Sequence, residues 1–332
     1  TYRRSPFLEA SDEYLGINAR DFGLNTALIY EIYPFRTVSL QHTFTRSLQF
    51  TPSLSDSLDQ DPQDPIDDPL PPNGPPGDPT LPQAPTGDLY NSSVFSLNAT
   101  LGRADDFLNP TRGFQVRPSA ELAGTVLGSS VEYARLSNEF TGYYPLGDNV
   151  EVAGRFFIGR LWPLGRSRER LDAGDAAFEN RFDDVQFYVG GSNDVRGWRS
   201  GLAGDKIARP DGAQYVFEPV GGNTKLAANL ELRLPFPGLG SDWRSAVFLD
   251  AGQVRERSFA PTELRFGTGV GIRYRTPVGY LRLDLAYKLN PGPFDLRSAQ
   301  EVYEFLEEER DALPDPSFRR RFLIHIGIGQ SF

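Results

Sequence analysis

The sequence predicts an all-β fold, an antiparallel transmembrane β-barrel with about twelve strands and long extracellular loops. Three observations predict it. Apolar and polar residues alternate along many short segments, apolar runs are too short for a membrane-spanning helix, and the long connections all follow odd-numbered strands. A membrane helix needs about 18 to 20 consecutive apolar residues, whereas a barrel strand needs only about 9 to 11 alternating ones. Such alternation agrees with a mean hydropathy of −0.41.

Period-2 alternation defines the predicted strands. Twelve are predicted, near residues 13–21, 23–33, 36–49, 91–103, 113–124, 130–143, 149–161, 224–235, 243–254, 264–276, 279–289 and 321–332. The side chains predicted to face lipid include Leu230, Leu232, Val270, Leu283 and Ile326. The sixth and seventh segments alternate poorly, because Arg135 and Arg155 interrupt them. One helix is predicted, from Ala299 to Leu313.

Long connections follow strands three, seven and eleven, so all of them lie on one side of the sheet. Outer-membrane barrels have this asymmetry, with short periplasmic turns and long external loops. The first long connection, residues 51–90, contains a segment at 59–88 with ten Pro, seven Asp and no Lys or Arg. This composition predicts a disordered extracellular loop, and a linker between two domains is the alternative. The second is a long loop at residues 166–223.

The composition narrows the classes of function. There is no Cys and only two His, so we expect no Cys nucleophile and no metal site built on thiolates or imidazoles. The net charge of −10 argues against nucleic acid as a partner. We find no nucleophile elbow or phosphate loop, and we interpret Asp183 and Asp184 as solvated loop charges. The sequence begins at Thr1 without a signal peptide, so we expect a piece of a longer polypeptide.

The C-terminal segment favours a membrane barrel over a soluble β-sandwich, which alternation alone would fit equally well. Its apolar face consists of Phe322, Ile324, Ile326, Ile328 and Phe332. The other face carries His325, glycines and Ser331, and the chain ends on the aromatic residue. This segment resembles the C-terminal targeting strand of outer-membrane proteins, which is recognised by addition to an exposed strand edge.

A glycine-rich motif in the second long loop carries a more specific resemblance. Val195, Arg196, Gly197 and Trp198 resemble the Val-Arg-Gly-aromatic motif of the BamA/TamA outer-membrane protein assembly factor (surface antigen) family and of two-partner-secretion transporters. The resemblance implies that this loop folds back into the barrel, where its Arg contacts the inner wall. By alternation, Phe248, Asp250 and Gly252 share the polar face of the ninth strand, so Asp250 is the predicted partner of Arg196.

Two further segments occur in the same order along the chain as in that family. Asn109–Phe114 is similar to the family's periplasmic turn, and Thr276–Asp284 is similar to a turn and the strand that follows it. The resemblance covers roughly residues 90–332, and the Pro-rich loop departs from it. Residues 1–332 are therefore expected to be one barrel domain from a 16-stranded parent. The N-terminal strands and the periplasmic POTRA modules of that parent are absent from this sequence.

The resemblance implies a non-enzymatic factor in the bacterial outer membrane that assembles, inserts or translocates other proteins and uses no cofactor. Its mechanism would be strand augmentation, in which a client's terminal strand pairs with an open barrel seam. The implied partners are outer-membrane lipids, client outer-membrane or surface proteins, and accessory periplasmic or lipoprotein subunits bound through POTRA modules. Two alternatives remain: a two-partner-type secretion pore, and a barrel anchor for a fused catalytic domain upstream of residue 1.

Overall fold

An antiparallel sheet of eleven strands forms the body of the structure, a computed structural model that describes residues 19–33, 36–50, 87–106, 109–124, 128–147, 149–211, 214–277, 279–307 and 312–329. The strands are β1 Ala19–Tyr33, β2 Arg36–Phe50, β3 Gly87–Ala104, β4 Gly113–Ala123, β5 Tyr133–Gly147, β6 Val150–Pro163, β7 Lys206–Asp211, β8 Gln214–Pro219, β9 Thr224–Pro235, β10 Trp243–Arg255, β11 Arg265–Thr276, β12 Gly279–Lys288 and β13 Phe322–Ile328. The helices are α1 Gly165–Asp172, α2 Ala176–Asp183, α3 Ala299–Glu307, and 3-10 turns at Pro261–Glu263 and Phe318–Arg321.

Each strand of the main sheet pairs with its neighbours along the chain, in the order β1-β2-β3-β4-β5-β6-β9-β10-β11-β12-β13. Strands β7 and β8 form a separate hairpin between β6 and β9. The connections that follow β2, β6 and β12 are the long ones, and they lie on one side because successive strands are antiparallel. The predicted all-β antiparallel architecture is therefore confirmed, as is the asymmetry of its loops.

The two faces of the sheet have opposite chemistry. Large apolar side chains are exposed on the outer face, with Leu230 53%, Val270 54% and Ile326 71% exposed. Alternate residues on the inner face are charged and buried, and Glu231 and Asp250 are both 0% exposed. A soluble sheet would show the reverse, because exposed apolar area is unfavourable in water. This inverted pattern fits a barrel whose outer face contacts lipid.

The connection between β6 and β9 fills the interior on the side of the long loops. Phe178 and Phe182 of α2, together with Phe187, belong to an apolar cluster that also includes Leu161 of β6. This explains why apolar and polar residues alternate poorly in the predicted sixth and seventh strands. The inner face of these strands contacts protein rather than water. Arg135 lies over the Phe187 ring at 4.4 Å, so this cation faces the interior.

Several predicted boundaries differ from the structure. A single strand, β1, runs through the predicted break between 21 and 23, and residues 1–18 lie outside the described residues. The loop predicted at 51–90 ends earlier, because β3 begins at Gly87; residues 51–86 are not described. The predicted helix at Ala299–Leu313 ends at Glu307. The sequence did not predict α1, α2 or the β7–β8 hairpin. None of the described helices has the length and apolar character to span a bilayer.

Candidate functional site

The candidate site is the tip of the β6–β9 connection, residues 190–201, packed against the inner face of β9 to β13. Two features hold its base. The Asp175 side chain accepts a hydrogen bond from the Phe178 backbone N–H and so caps α2, and Phe187 forms a β-bridge with Gly222. Hydrogen bonds therefore hold the backbone on both sides of the tip.

Glycines give the tip its sharp turns. Gly190, Gly191 and Gly197 have φ values of 115°, 116° and 103°, a region that side chains with a Cβ rarely adopt. A Cβ on Gly190 would also lie 2.8 Å from the Arg199 carbonyl oxygen. Asp194 closes the turn, since its Oδ2 accepts hydrogen bonds from the Gly190 N–H at 3.0 Å and the Lys225 Nζ at 2.8 Å.

Arg196 extends from the turn onto β10 and meets Asp250 through two parallel hydrogen bonds. The Nε–Oδ2 distance is 2.7 Å and the Nη2–Oδ1 distance is 2.9 Å. The backbone N–H of Arg196 also donates to Asp250 Oδ2 at 3.1 Å. A guanidinium presents a planar fork that matches a carboxylate, and this bidentate geometry is stronger and more directional than a single contact. The structure thus brings together the two residues that the sequence predicted as partners.

Two more carboxylates surround the same guanidinium. Arg196 Nη1 lies 2.9 Å from Glu231 Oε2 of β9 and 3.5 Å from Asp284 Oδ2 of β12. Its Cζ lies 3.4 Å from the centroid of the Phe248 ring. The side chain is 1% exposed, so an unpaired charge at this position would be costly. One loop residue therefore connects three separate strands.

The inner wall supplies cations that balance these carboxylates. Arg233 Nε donates to Glu231 at 3.0 Å, and Arg273 Nη2 lies 3.3 Å from the same side chain and also contacts Asp284. Three arginines thus face three carboxylates: Arg196, Arg233, Arg273, Glu231, Asp250 and Asp284. We call these six residues the buried charge cluster. It contains equal numbers of positive and negative charges, and their mutual attraction offsets the desolvation penalty of each buried ion.

Glycines in β10 and β11 make room for the tip. A Cβ on Gly252 would lie 2.6 Å from Val195 Cγ2, and one on Gly267 would lie 2.0 Å from the Arg196 carbonyl oxygen. The loop backbone can approach the wall only because these side chains are missing. Val195, Gly197 and Trp198 are all buried in the resulting contact.

The tip also contacts the last strand. The Gly197 N–H donates to His325 Nε2 at 3.0 Å, which requires this ring nitrogen to be unprotonated. Arg282 of β12 donates to the Ser192 carbonyl oxygen at 3.1 Å and to the Asn193 side chain. On the outer face of β13, Phe322, Ile324, Ile326 and Ile328 form one exposed row. Phe332, the predicted end of that row, lies outside the described residues.

Sequence reasoning found Arg196 and Asp250 but missed Glu231, Asp284 and His325. Alternation gave a signal for all three, because it assigns each of them to the polar face of its strand. It does not give the stagger between strands, which decides whether two inward carboxylates lie at the same depth. The Asp250–Asn229 and Gly271–Asp284 pairings set that depth in the structure.

Asp183 and Asp184, interpreted from the sequence as solvated charges, lie at the end of α2, outside the membrane-spanning strands. Partial desolvation by neighbouring groups raises the pKa of both carboxyls, and for Asp183 the nearby Glu218 and Asp184 add to the effect. Asp183 is half-buried, whereas Asp184 is exposed. Among the described residues, no group of three or more His, Cys, Asp or Glu side chains could hold a metal ion.

Comparisons with known proteins agree with this geometry. The Omp85 superfamily domain model matches residues 2–332. Outer membrane protein assembly factor BamA of Neisseria meningitidis serogroup B is 28% identical over 221 residues, which cover 58% of this chain and 26% of that protein. BamA of Nitratidesulfovibrio vulgaris is 27% identical over 209 residues, covering 60% and 23%. The chain therefore spans about a quarter of the length of these relatives.

A solved structure shows the same fold. BamA from Haemophilus ducreyi lacking POTRA domains 1-3 superposes with a TM-score of 0.58 at 18% identity, covering 83% of this chain and 52% of that one. The loop tip, the inverted sheet and the family match over nearly the whole sequence lead to one assignment, and the resemblance to the BamA/TamA family is confirmed. This chain belongs to the Omp85 superfamily and is an outer-membrane β-barrel of Gram-negative bacteria.

Proposed function

We propose that this chain is the membrane barrel of a factor that assembles or inserts other outer-membrane proteins. The observation that carries the proposal is the loop tip, whose Arg196 joins β9, β10 and β12 while Gly197 contacts β13. A secretion pore needs an open path through the barrel interior for its substrate. An assembly factor instead needs a terminal strand that is held in a defined position. The names of the curated relatives support the assembly role.

In the proposed mechanism, β13 serves as the edge at which a client barrel grows. Strand β13 pairs with β12 over seven residues, and β13 is the last strand in the sheet order. The tip fixes β13 from the inside, so the side of this strand that points away from β12 is the one available for a client strand. The proposal requires no cofactor and no catalytic residue, because the driving force is the pairing of backbone hydrogen bonds and the burial of client surface.

Site-specific crosslinking tests this proposal. A photoreactive residue at Ile326 of β13 should crosslink to the terminal strand of a client barrel during assembly by the full polypeptide in vesicles. The matched control is Leu230 of β9, which also faces lipid but lies in the middle of the sheet. Equal client crosslinking at both positions would contradict a specific edge.

The same experiment separates assembly from secretion. A photoreactive residue at Asn193, an exposed position on the interior tip, should not crosslink to a folding client barrel. Strong crosslinking there to a polypeptide that is then released outside the vesicle would instead favour the two-partner-type secretion pore. A fused catalytic domain would leave both positions without a client crosslink.

A further inference from the structure

A cationic patch lies beside the last strand, on the side of the long loops. The 3-10 turn Phe318–Arg321 contains three consecutive arginines and leads directly into β13. Arg319 and Arg320 are exposed, and Arg321 is half-exposed. We call Phe318, Arg319, Arg321 and Phe322 the rim patch. None of the three arginines takes part in the buried charge cluster or in β13, so the proposed function does not explain them.

Aromatic rings give the rim patch an apolar half. Phe318 is 66% exposed and Phe322 is 41% exposed, and their rings meet edge to face with centroids 5.6 Å apart. Phe322 also packs against Tyr287 of β12 at 5.1 Å. Phe322 is the first outward residue of β13 and is followed by the exposed isoleucines of its lipid-facing row. The rings therefore lie where the lipid-facing surface ends, the level at which aromatic residues concentrate in membrane proteins.

The guanidinium of Arg321 is oriented along this boundary. Its Cζ lies 5.7 Å from the centroid of the Tyr287 ring, and its Nη1 contacts the Tyr287 hydroxyl at 3.4 Å and the Lys288 carbonyl oxygen at 3.3 Å. These contacts are to neutral groups. None of the ion pairs in the described part of the chain involves Arg319, Arg320 or Arg321.

The three arginines are not equivalent. The pKa of Glu301 in α3 is lowered by the hydrogen bond from the Ser298 backbone N–H and, more weakly, by nearby Arg320. Arg320 is therefore the arginine whose charge acts on α3, and its carbonyl oxygen accepts a hydrogen bond from Lys288 Nζ at 2.8 Å. Arg319 and Arg321 remain as the cations that flank the aromatic rings.

We propose that the rim patch binds the phosphate-bearing headgroup of an anionic lipid in the outer leaflet, next to the terminal strand. The guanidinium groups match phosphate oxygens in geometry and charge. Clustered arginines at a membrane surface attract anionic lipids, and the neighbouring rings contact the upper part of the acyl chains. A free phosphate ion would gain nothing from these rings, which is why the occupant is a lipid. This inference rests on the fold and the membrane location, and not on the proposed function.

Photolabelling in vesicles tests the site. The full polypeptide is reconstituted in phosphatidylcholine vesicles with a trace of photoactivatable phosphatidylglycerol or of photoactivatable phosphatidylcholine. Labelling of residues 312–329 is then measured by mass spectrometry. We expect the anionic probe to be preferred on this segment. The Arg319→Gln, Arg321→Gln double variant should lose roughly 25-fold in that preference, since each of the two arginines near an anionic surface contributes roughly fivefold.

A matched control separates the site from general surface charge. The Arg168→Gln, Arg257→Gln double variant removes two arginines that are 75% and 90% exposed on the same side of the sheet, and it should keep the full preference. An equal loss in the control would overturn the proposal, as would equal labelling by the two probes in the unmodified protein. If excess soluble glycerol phosphate abolished the preference, the site would bind free anions and the lipid assignment would be wrong.

Discussion

Arg196 can satisfy three carboxylates because its guanidinium has five N–H donors in one plane, whereas a lysine in its position would offer a single point charge. The two parallel hydrogen bonds to Asp250 take one edge of that plane, and Glu231 and Asp284 lie beyond Nη1. An Arg196→Lys change would keep the charge but lose the fork. The shape of the cation therefore matters here as much as its sign.

The coupling between Arg196 and Asp250 is measurable by a double-mutant cycle. Each single change to Ala should lower the free energy of unfolding by roughly 3–5 kcal/mol, because each one leaves an uncompensated buried charge. The double variant should lose clearly less than the sum of the two. Unfolding in detergent, followed by fluorescence, provides the measurement.

Arg168 and Asp172 on α1 are the matched control pair. They are 75% and 76% exposed, with 3.8 Å between Nε and Oδ2, and their cycle should show no measurable coupling. Strictly additive losses at Arg196 and Asp250 would mean that the guanidinium does not depend on this carboxylate.

Gly267 offers a second test at the residue scale. In the Gly267→Ala variant the new Cβ would meet the Arg196 carbonyl oxygen, so we expect the loop tip to leave the wall while the strands stay paired. A Val195→Cys substitution reports whether the tip has left the wall, because the parent Val is 0% exposed and this chain has no other Cys. Thiol labelling should become fast in Gly267→Ala and stay slow in Gly240→Ala, where the Cβ meets open space. Slow labelling in both would contradict the tight contact.

At the scale of elements, the outer strand faces depend on lipid. Leu283 of β12 is 46% exposed on the outer face, and Leu283→Arg should cost about 2–4 kcal/mol near the bilayer midplane. Gln41→Arg on the inner face of β2 is the control and should cost little, because the interior is polar there. Folding titrations in lipid vesicles measure both, and equal tolerance would argue against a transmembrane sheet.

Strands were predictable where one face meets lipid and the other meets polar side chains. In β9, β11 and β12 the alternation is uninterrupted, and the predicted bounds fall within one residue of the observed ones. In β5 and β6 the inner face packs on the apolar cluster around Phe187, so both faces carry apolar residues and the period-2 signal weakens.

The β6–β9 connection was the least predictable element. Helix α1 contains three arginines among eight residues, and α2 is equally short, so neither has a long apolar stripe. The β7–β8 hairpin contains Pro210 and charged residues that resemble a loop. The motif at its tip was recognisable by resemblance, but the packing that positions it depends on residues from five different strands.

At the scale of the whole molecule, we predict that the C-terminal strand has a role in targeting that can be separated from its role in folding. Removing Phe332 should reduce delivery to the outer membrane more than it reduces folding in detergent. We expect the residue to add only one aromatic side chain to stability, whereas it ends the segment that resembles a targeting strand. Surface levels in cells and refolding yields in detergent measure the two effects. Normal surface levels of the truncated protein would remove the reason for considering this strand a signal.

The loop tip also determines the order in which the chain can finish folding. Its partners lie far downstream: Glu231 is 35 residues from Arg196, Asp284 is 88, and His325 is 128 residues from Gly197. Contacts of such long sequence separation form slowly, because a large loop must close before they contribute. The hydrogen bond from Gly197 to His325 cannot form until β13 is in place. Complete docking of this loop therefore requires that the barrel has been completed to its last strand.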